Sequence, residues 1–152
     1  MSRHVIDVSA GSAATPHDVF ALLVDGATWP LWGIWTAFGL EAPGVDSPQG
    51  PGAVRVFTSR TAGRTVVARE RVLELVPDRR LEYVLLSGMP MRNYRARVEL
   101  EPDGAGCTIR WRARFDGASF GTGGFYRLVL TRFLRDAACR VGQYALQHPA
   151  TR

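Results

Sequence analysis

The chain has 152 residues, 46% of them hydrophobic and 22% charged, which is the composition of one globular domain of ordinary size spanning residues 1–152. Nineteen basic residues against fourteen acidic ones give a net charge of +5, and every basic residue is an arginine. No apolar run approaches the roughly 20 residues that cross a bilayer as a helix, which excludes an integral membrane protein of that kind; the stretch from Met1 to Asp7 also lacks the apolar core of a secretory signal, so a cytoplasmic location is expected.

Residues 4–9 alternate His4, Ile6 and Val8 against Val5, Asp7 and Ser9, which predicts a short strand. A helix follows, with Thr15 as N-cap, Pro16 in the first position and Asp18 where a capping-box acid belongs. Val19, Phe20 and Leu23 share one of its faces, and Gly26 is placed to close its C-terminus. The segment Trp29-Pro30-Leu31-Trp32-Gly33-Ile34-Trp35 is too short and bulky for a solvated loop and predicts a second short helix that presses its tryptophans inward.

From residue 38 the pattern changes to strands. Pro43-Gly44, Pro48, Gly50 and Pro51-Gly52 punctuate the first connection, and Ala62-Gly63 predicts a hairpin turn. Further turns are expected at Pro77-Asp78, Gly88-Met89-Pro90 and Pro102-Asp103-Gly104. Tyr94, Ala96, Val98 and Leu100 alternate with Arg95, Arg97 and Glu99, while Ile109, Trp111, Ala113 and Phe115 alternate with Arg110, Arg112 and Arg114. Such regular alternation predicts an antiparallel sheet with one face buried and one wet. Residues 122–147 return to helical spacing. Phe125, Leu128, Val129, Phe133, Ala137, Val141 and Tyr144 are its expected buried face, and Pro149 its stop.

In this element order the sequence resembles the START-like superfamily, also called helix-grip, SRPBCC or birch-pollen-allergen-like, and within it the bacterial polyketide cyclase/dehydrase-type branch. The resemblance covers about residues 4–147 and is carried by local patterns as well: Ala14-Thr15-Pro16 leading to Val19-Phe20, Trp29-Pro30-Leu31-Trp32, and Pro51-Gly52 opening a strand with Arg55 and Phe57. Pro77-Asp78-Arg79-Arg80-Leu81-Glu82-Tyr83 and Gly106-Cys107-Thr108-Ile109-Arg110-Trp111 complete them. The resemblance implies an α+β fold, β-α-α-β6-α, whose curved antiparallel sheet of about seven strands wraps a long C-terminal helix around an internal cavity. It implies that the cavity binds a hydrophobic or aromatic small molecule such as a lipid or a polyketide, with cyclisation or dehydration by proton transfer as the alternative.

Strand parity directs Tyr94, Ala96, Val98, Ile109, Trp111, Ala113 and Phe115 toward that cavity, with Leu81, Tyr83 and Leu85 on the strand before. Parity is ambiguous in residues 64–75, where the resemblance favours Val66, Ala68, Glu70, Val72 and Glu74 facing inward. Glu70 is the candidate catalytic residue, because a carboxyl desolvated in an apolar cavity has a raised pKa and can act as general acid or base. Its other reading is an ion pair with Arg55 from the adjoining strand. Arg55 is read either as a bidentate ligand contact or as a solvent-exposed residue. Tyr83, Tyr94 and Trp111 suit stacking on a ring system and serve equally as plain core. Trp32, Trp35, Phe57, Val66, Val72, Phe125, Val129 and Phe133 complete the expected ligand wall. Val72 stands where the aromatase/cyclase enzymes would carry their cavity arginine.

No cofactor or metal is implied. His4, His17 and His148 lie at a strand start, a helix start and the end of the chain, so no nucleophile–histidine arrangement is available. Cys107 and Cys139 are expected as free thiols. Gly121-Thr122-Gly123-Gly124 lacks the third glycine of a dinucleotide fingerprint and reads instead as a flexible entrance loop, with Phe120 and Phe125 placed to close over an apolar ligand. Arg95, Arg97, Arg110, Arg112 and Arg114 should project from the outer sheet face. Glu99 and Glu101 share or border that face and no aromatic residues interleave, so cross-strand ion pairs are expected there rather than a nucleic-acid surface. An interaction module built on this basic face is the second alternative. The sequence does not define an oligomeric state.

Overall fold

The structure, a computed structural model, describes residues 3–117 and 122–150. Strand β1 (Arg3–Ser12) leads into helix α1 (Pro16–Val24), a 3-10 turn (Gly26–Thr28) and the single-turn helix α2 (Trp29–Trp32). Six further strands follow: β2 (Trp35–Ala42), β3 (Val54–Thr61), β4 (Arg64–Val76), β5 (Arg80–Ser87), β6 (Met91–Asp103) and β7 (Gly106–Gly117). Helix α3 (Thr122–Gln147) closes the fold. Every neighbouring pair is antiparallel, in the spatial order β1-β7-β6-β5-β4-β3-β2. Both edges of the sheet therefore come from the first 42 residues, joined through α1 and α2. Helix α3 lies on the concave face and packs against β1 and β7. This is the expected helix-grip fold.

Local chemistry explains the element ends. The Thr15 hydroxyl accepts from the Asp18 amide at 3.1 Å, capping α1 as its sequence predicts. Asp18 does not return a capping-box bond. Its carboxylate accepts from the Ala150 amide at 3.0 Å and ties the chain after α3 to the start of α1. Nor does Gly26 end α1, which stops at Val24 with Asp25 as an extended cap. Gly26 is required for another reason: a Cβ there would overlap the Phe38 ring. The Ala62-Gly63 hairpin holds both residues at positive φ, 52° and 76°, the geometry that matches the twist of two strands joined by two residues.

The alternation on β6 and β7 is as expected. Tyr94, Ala96, Val98, Leu100, Ile109, Trp111, Ala113 and Phe115 are all buried on the concave face. In β4 the inward parity holds from Val66 to Val72 and then breaks. A register irregularity between Val72 and Glu74 sets Glu74 beside Glu82, and Glu74 pairs with Arg80 at 2.7 Å, so it does not line the interior.

The buried stripe of α3 also differs from its expected position. Leu130, Leu134, Ala137, Ala138, Val141 and Ala145 face the sheet, whereas Phe125 is 63% exposed, Leu128 59% and Val129 44%. Small residues decide this. The Ser12 hydroxyl donates to the Gly142 carbonyl at 2.8 Å, and a Cβ on Gly142 would lie 2.9 Å from the Ser12 Cβ, so this side alone lets the helix backbone settle against β1. Phe125 and Val129 are thereby turned away from the interior and do not line it.

Candidate functional site

The concave face carries two kinds of cover. Helix α3 lies over β1 and β7, and the tryptophans of α2 and β2 lie over β3. Trp29 is the centre of the second cover. Its ring stacks on Phe57 at 4.5 Å and meets Trp32, Trp35 and Trp111 at 5.3, 4.8 and 6.0 Å. Trp35, half-buried at the start of β2, touches Phe133 of α3 edge-on at 5.4 Å and so links the two covers. Among the expected wall residues Trp32, Phe57, Val72, Tyr83, Tyr94 and Trp111 are buried, and Val66 lies half-buried on the same face toward the β3–β4 turn.

Within this apolar shell sit two opposite charges. Arg55 and Glu70 are direct cross-strand partners on β3 and β4. Arg55 is fully buried, which excludes the solvent-exposed reading, and the guanidinium contacts the fold itself. Its Nη1 donates to the carbonyls of Leu23 and Val24 at 3.0 and 3.3 Å. These are the last carbonyls of α1, a helix with no basic residue in its own last turn. A cation supplied by a distant strand thus meets the negative end of the helix dipole. The guanidinium carbon lies 4.9 Å from the Trp29 ring centre and 5.1 Å from that of Phe57, and the Trp29 indole donates to the Leu23 carbonyl at 3.2 Å.

Arg55 and Glu70 approach to 3.9 Å without a hydrogen bond. Arg55 Nε, Arg55 Nη2 and Glu70 Oε1 have no partner, although buried polar atoms are nearly always satisfied. Burial pushes the Glu70 carboxyl up to about 7, against the opposing pull of Arg55. Burial likewise holds Arg55 below the usual arginine range, with Glu70 opposing, and the group remains a cation. The Arg55 side chain is inaccessible, and that of Glu70 is 10% exposed.

Two phenols complete the cluster. The Trp111 indole N–H, which can only donate, gives its proton to the Tyr83 hydroxyl at 3.3 Å. The Tyr83 proton is then free to point onward, and Tyr94 lies near enough to act on Tyr83 electrostatically. Burial raises both phenols, with the nearby Glu70 charge adding to the effect, so both keep their protons throughout the physiological range. Chemically the cluster offers two neutral O–H groups and one carboxyl poised between its two protonation states, in aromatic surroundings.

The role of Arg55 beneath α1 was hidden in the sequence, because its carbonyl partners lie 32 and 31 residues away. Trp29, the ring over Arg55, is also absent from the expected wall, and only its company in a tryptophan cluster pointed to it. Phe120 and Gly121, expected in an entrance loop, lie outside the described residues.

The outer face holds the expected ion pairs. Arg110 grips Asp7 at 2.6 and 2.9 Å, Arg112 reaches Glu99 at 3.4 Å, and Arg95 and Arg97 share Glu82 at 3.1 and 3.2 Å. A groove of about 310 Å³ runs between Glu82, Arg95, Arg97, Arg112 and Arg114. Cys107 is buried and Cys139 exposed, both as free thiols. Among the described residues no helix is long and apolar enough to cross a membrane, and no group of three His, Cys, Asp or Glu side chains is placed to hold a metal ion.

A curved seven-stranded antiparallel sheet gripping a long C-terminal helix, with buried ionisable groups on its concave face, defines a START-like, or helix-grip, protein. The chain matches the family described as polyketide cyclase/dehydrase and lipid transport over residues 3–146 and belongs to it. Among solved structures it is similar to a START superfamily protein from Mycobacterium smegmatis, at 14% identity and a TM-score of 0.82, covering 95% of this chain and 98% of that one. An aromatase/cyclase from a Streptomyces strain matches at 14% identity and a TM-score of 0.81, covering 99% of this chain and 98% of that one. Norcoclaurine synthase from Thalictrum flavum, in complex with dopamine and hydroxybenzaldehyde, matches at 14% identity and a TM-score of 0.77, covering 99% and 90%. No curated protein matches the sequence.

Proposed function

We propose that the protein binds a hydrophobic or aromatic small molecule on the concave face of its sheet, with the polar part of the ligand held by Glu70, Tyr83 and Tyr94. The observation that carries this reading is the Glu70 carboxyl itself. A core that served packing alone would not keep a buried acid whose Oε1 makes no hydrogen bond and lies 3.9 Å from a buried arginine. The family's description as cyclase, dehydrase and lipid transport supports the ligand class. Trp32, Trp35, Phe57, Val66, Val72, Trp111 and Phe133 would supply the apolar wall, and the two phenols and the carboxyl would fix the orientation, as a few polar groups do in most small-molecule sites.

The second reading is proton transfer. A carboxyl whose pKa lies at about 7 is matched to general acid or base work at neutral pH. Glu70 would take a proton from a carbon or hydroxyl of the ligand and return it elsewhere, while Tyr83 and Tyr94 donate to a ligand oxygen that gains negative charge. Arg55 would act through Glu70, as a positioning residue that limits how far burial raises it. The aromatase/cyclase and norcoclaurine synthase relatives are enzymes by their names, which favours keeping this reading beside the first.

Native mass spectrometry of freshly purified protein, with solvent extraction, tests the binding reading. A retained compound of defined mass supports it, and so does saturable quenching of tryptophan fluorescence by 2-naphthol that weakens in Tyr83→Phe. An apo mass together with no saturable quenching overturns it. Turnover of an identified ligand that Glu70→Gln leaves intact would remove the proton-transfer reading and keep the binding one.

A further inference from the structure

We propose that the solvent-facing side of the first half of α3 is a docking surface for an anionic lipid bilayer. Phe125, Leu128 and Val129 stand exposed there, although large apolar side chains are otherwise mostly inside. Residues 122–135 also contain Arg127, Arg132 and Arg135 and no aspartate or glutamate. A helix N-terminus favours acidic residues, so this composition opposes the helix dipole and does not serve helix stability. At about 100° per residue, Phe125, Leu128, Val129, Arg132 and Arg135 fall within one sector of roughly 120°, opposite Leu130, Leu134 and Val141.

On the outer sheet face Arg95, Arg97, Arg110 and Arg112 are matched by Glu82, Asp7 and Glu99. On the exposed sector of α3, among the described residues, Arg132 and Arg135 form no ion pair, and Asp136, which shares that sector, is taken by Arg140 at 2.7 Å. This surface therefore keeps two arginine charges that its own acids do not balance.

Three apolar side chains with arginines around them suit lipid better than protein. A stable protein interface needs roughly 800 Å² from each partner and a matching shape, whereas a bilayer accepts any small apolar ridge. A second copy of the chain would set arginine against arginine across a two-fold axis. Against a bilayer, the arginine stems lie along the apolar surface and their heads reach the phosphates, as in interfacial amphipathic helices. This proposal goes beyond ligand binding and rests on other residues. It places the protein at the surface from which an apolar ligand would be collected or to which it would be delivered.

Co-sedimentation with vesicles of phosphatidylcholine alone, or with a third of phosphatidylglycerol, tests it. The intact protein is expected to pellet with the anionic vesicles, to remain free with the neutral ones, and to be released by high salt. Arg132→Gln should lower the partition coefficient about fivefold, and the double variant R132Q/R135Q about 25-fold. F125E/L128E should abolish binding while leaving circular dichroism and 2-naphthol quenching unchanged, since both side chains are outside the core. A wild-type protein that stays in the supernatant overturns the proposal. So does vesicle binding that survives F125E/L128E and is lost only on replacing Arg110 and Arg112 of the sheet. A dimer in sedimentation velocity that the same double variant dissolves would assign the surface to self-association instead.

Discussion

Replacing Glu70 with glutamine keeps the shape of the side chain and removes its charge, which turns its unusual acidity into a measurable stability. In the unfolded chain the carboxyl titrates near 4.5, and in the folded protein near about 7. Between these values the native state holds a proton that the unfolded state has released, so stability falls as pH rises through this window. The contribution is fully present below the unfolded value and exhausted above the folded one. At 1.36 kcal/mol per unit the difference amounts to about 3 kcal/mol. Glutamine mimics the protonated acid and has no such slope. Wild type and Glu70→Gln should therefore be equally stable at pH 4, and the variant should be more stable by about 3 kcal/mol at pH 8. Urea unfolding followed by fluorescence at several pH values supplies the comparison. The surface carboxylates held down by arginines, Asp7 and Glu41 among them, are common to both proteins and cancel in the difference. Parallel stability profiles would refute the burial argument. A variant that loses ground as pH rises would show that Arg55 attracts Glu70 more strongly than burial penalises it.

Arg55→Met should move the Glu70 midpoint above about 7, because the remaining influence is burial, and a carbon-13 titration of the carboxyl reads it directly. The same variant leaves the Val24 carbonyl without its donor and should cost about 2 kcal/mol even at acid pH, where Glu70 is neutral. Trp111→Phe removes the indole donor to Tyr83 and should cost about 1–3 kcal/mol in urea unfolding while reorienting the phenol. Gly142→Val would force α3 away from Ser12 and Ile109, whose atoms lie 2.9 and 3.1 Å from the added Cβ. It should lower stability by about 1–3 kcal/mol, each kcal/mol lowering Tm by about 2–4 °C.

The strands were legible where one face is uniformly wet. On β6 and β7 the outward Arg95, Arg97, Glu99 and Glu101 and the outward Arg110, Arg112, Arg114 and Asp116 alternate with neighbours that are almost all apolar, so parity could be read residue by residue. It failed at Glu74 because a register irregularity inverts parity, and nothing in Val72-Leu73-Glu74 marks one. On α3 the large apolar residues misled. Phe125, Leu128 and Val129 have helical spacing, yet the sheet selects the side with Ala137, Ala138, Gly142 and Ala145, where closeness of backbone outweighs side-chain size. At the candidate site the pairing of Glu70 with Arg55 could be anticipated from adjoining strands. What Arg55 does beneath α1 could not, since no local pattern records a contact between a strand and the end of a distant helix.

The meeting of Trp35 and Phe133 gives the concave face a mechanical seam. Each ring belongs to a separately anchored cover: Trp35 to the indole cluster around Trp29, and Phe133 to a helix pinned to β1 by Ser12 and Gly142. One edge-on ring pair is worth only about 0.5–1.5 kcal/mol beyond the area it buries, a small part of the roughly 5–15 kcal/mol that holds a domain folded. Helix α3 also meets α1 and α2, so the two covers share a wider border than this one pair. In the binding reading proposed above, a smaller ring at Phe133 would loosen that border at small cost to the fold, because the sheet, the capped α1 and the grip of α3 on β1 do not depend on it.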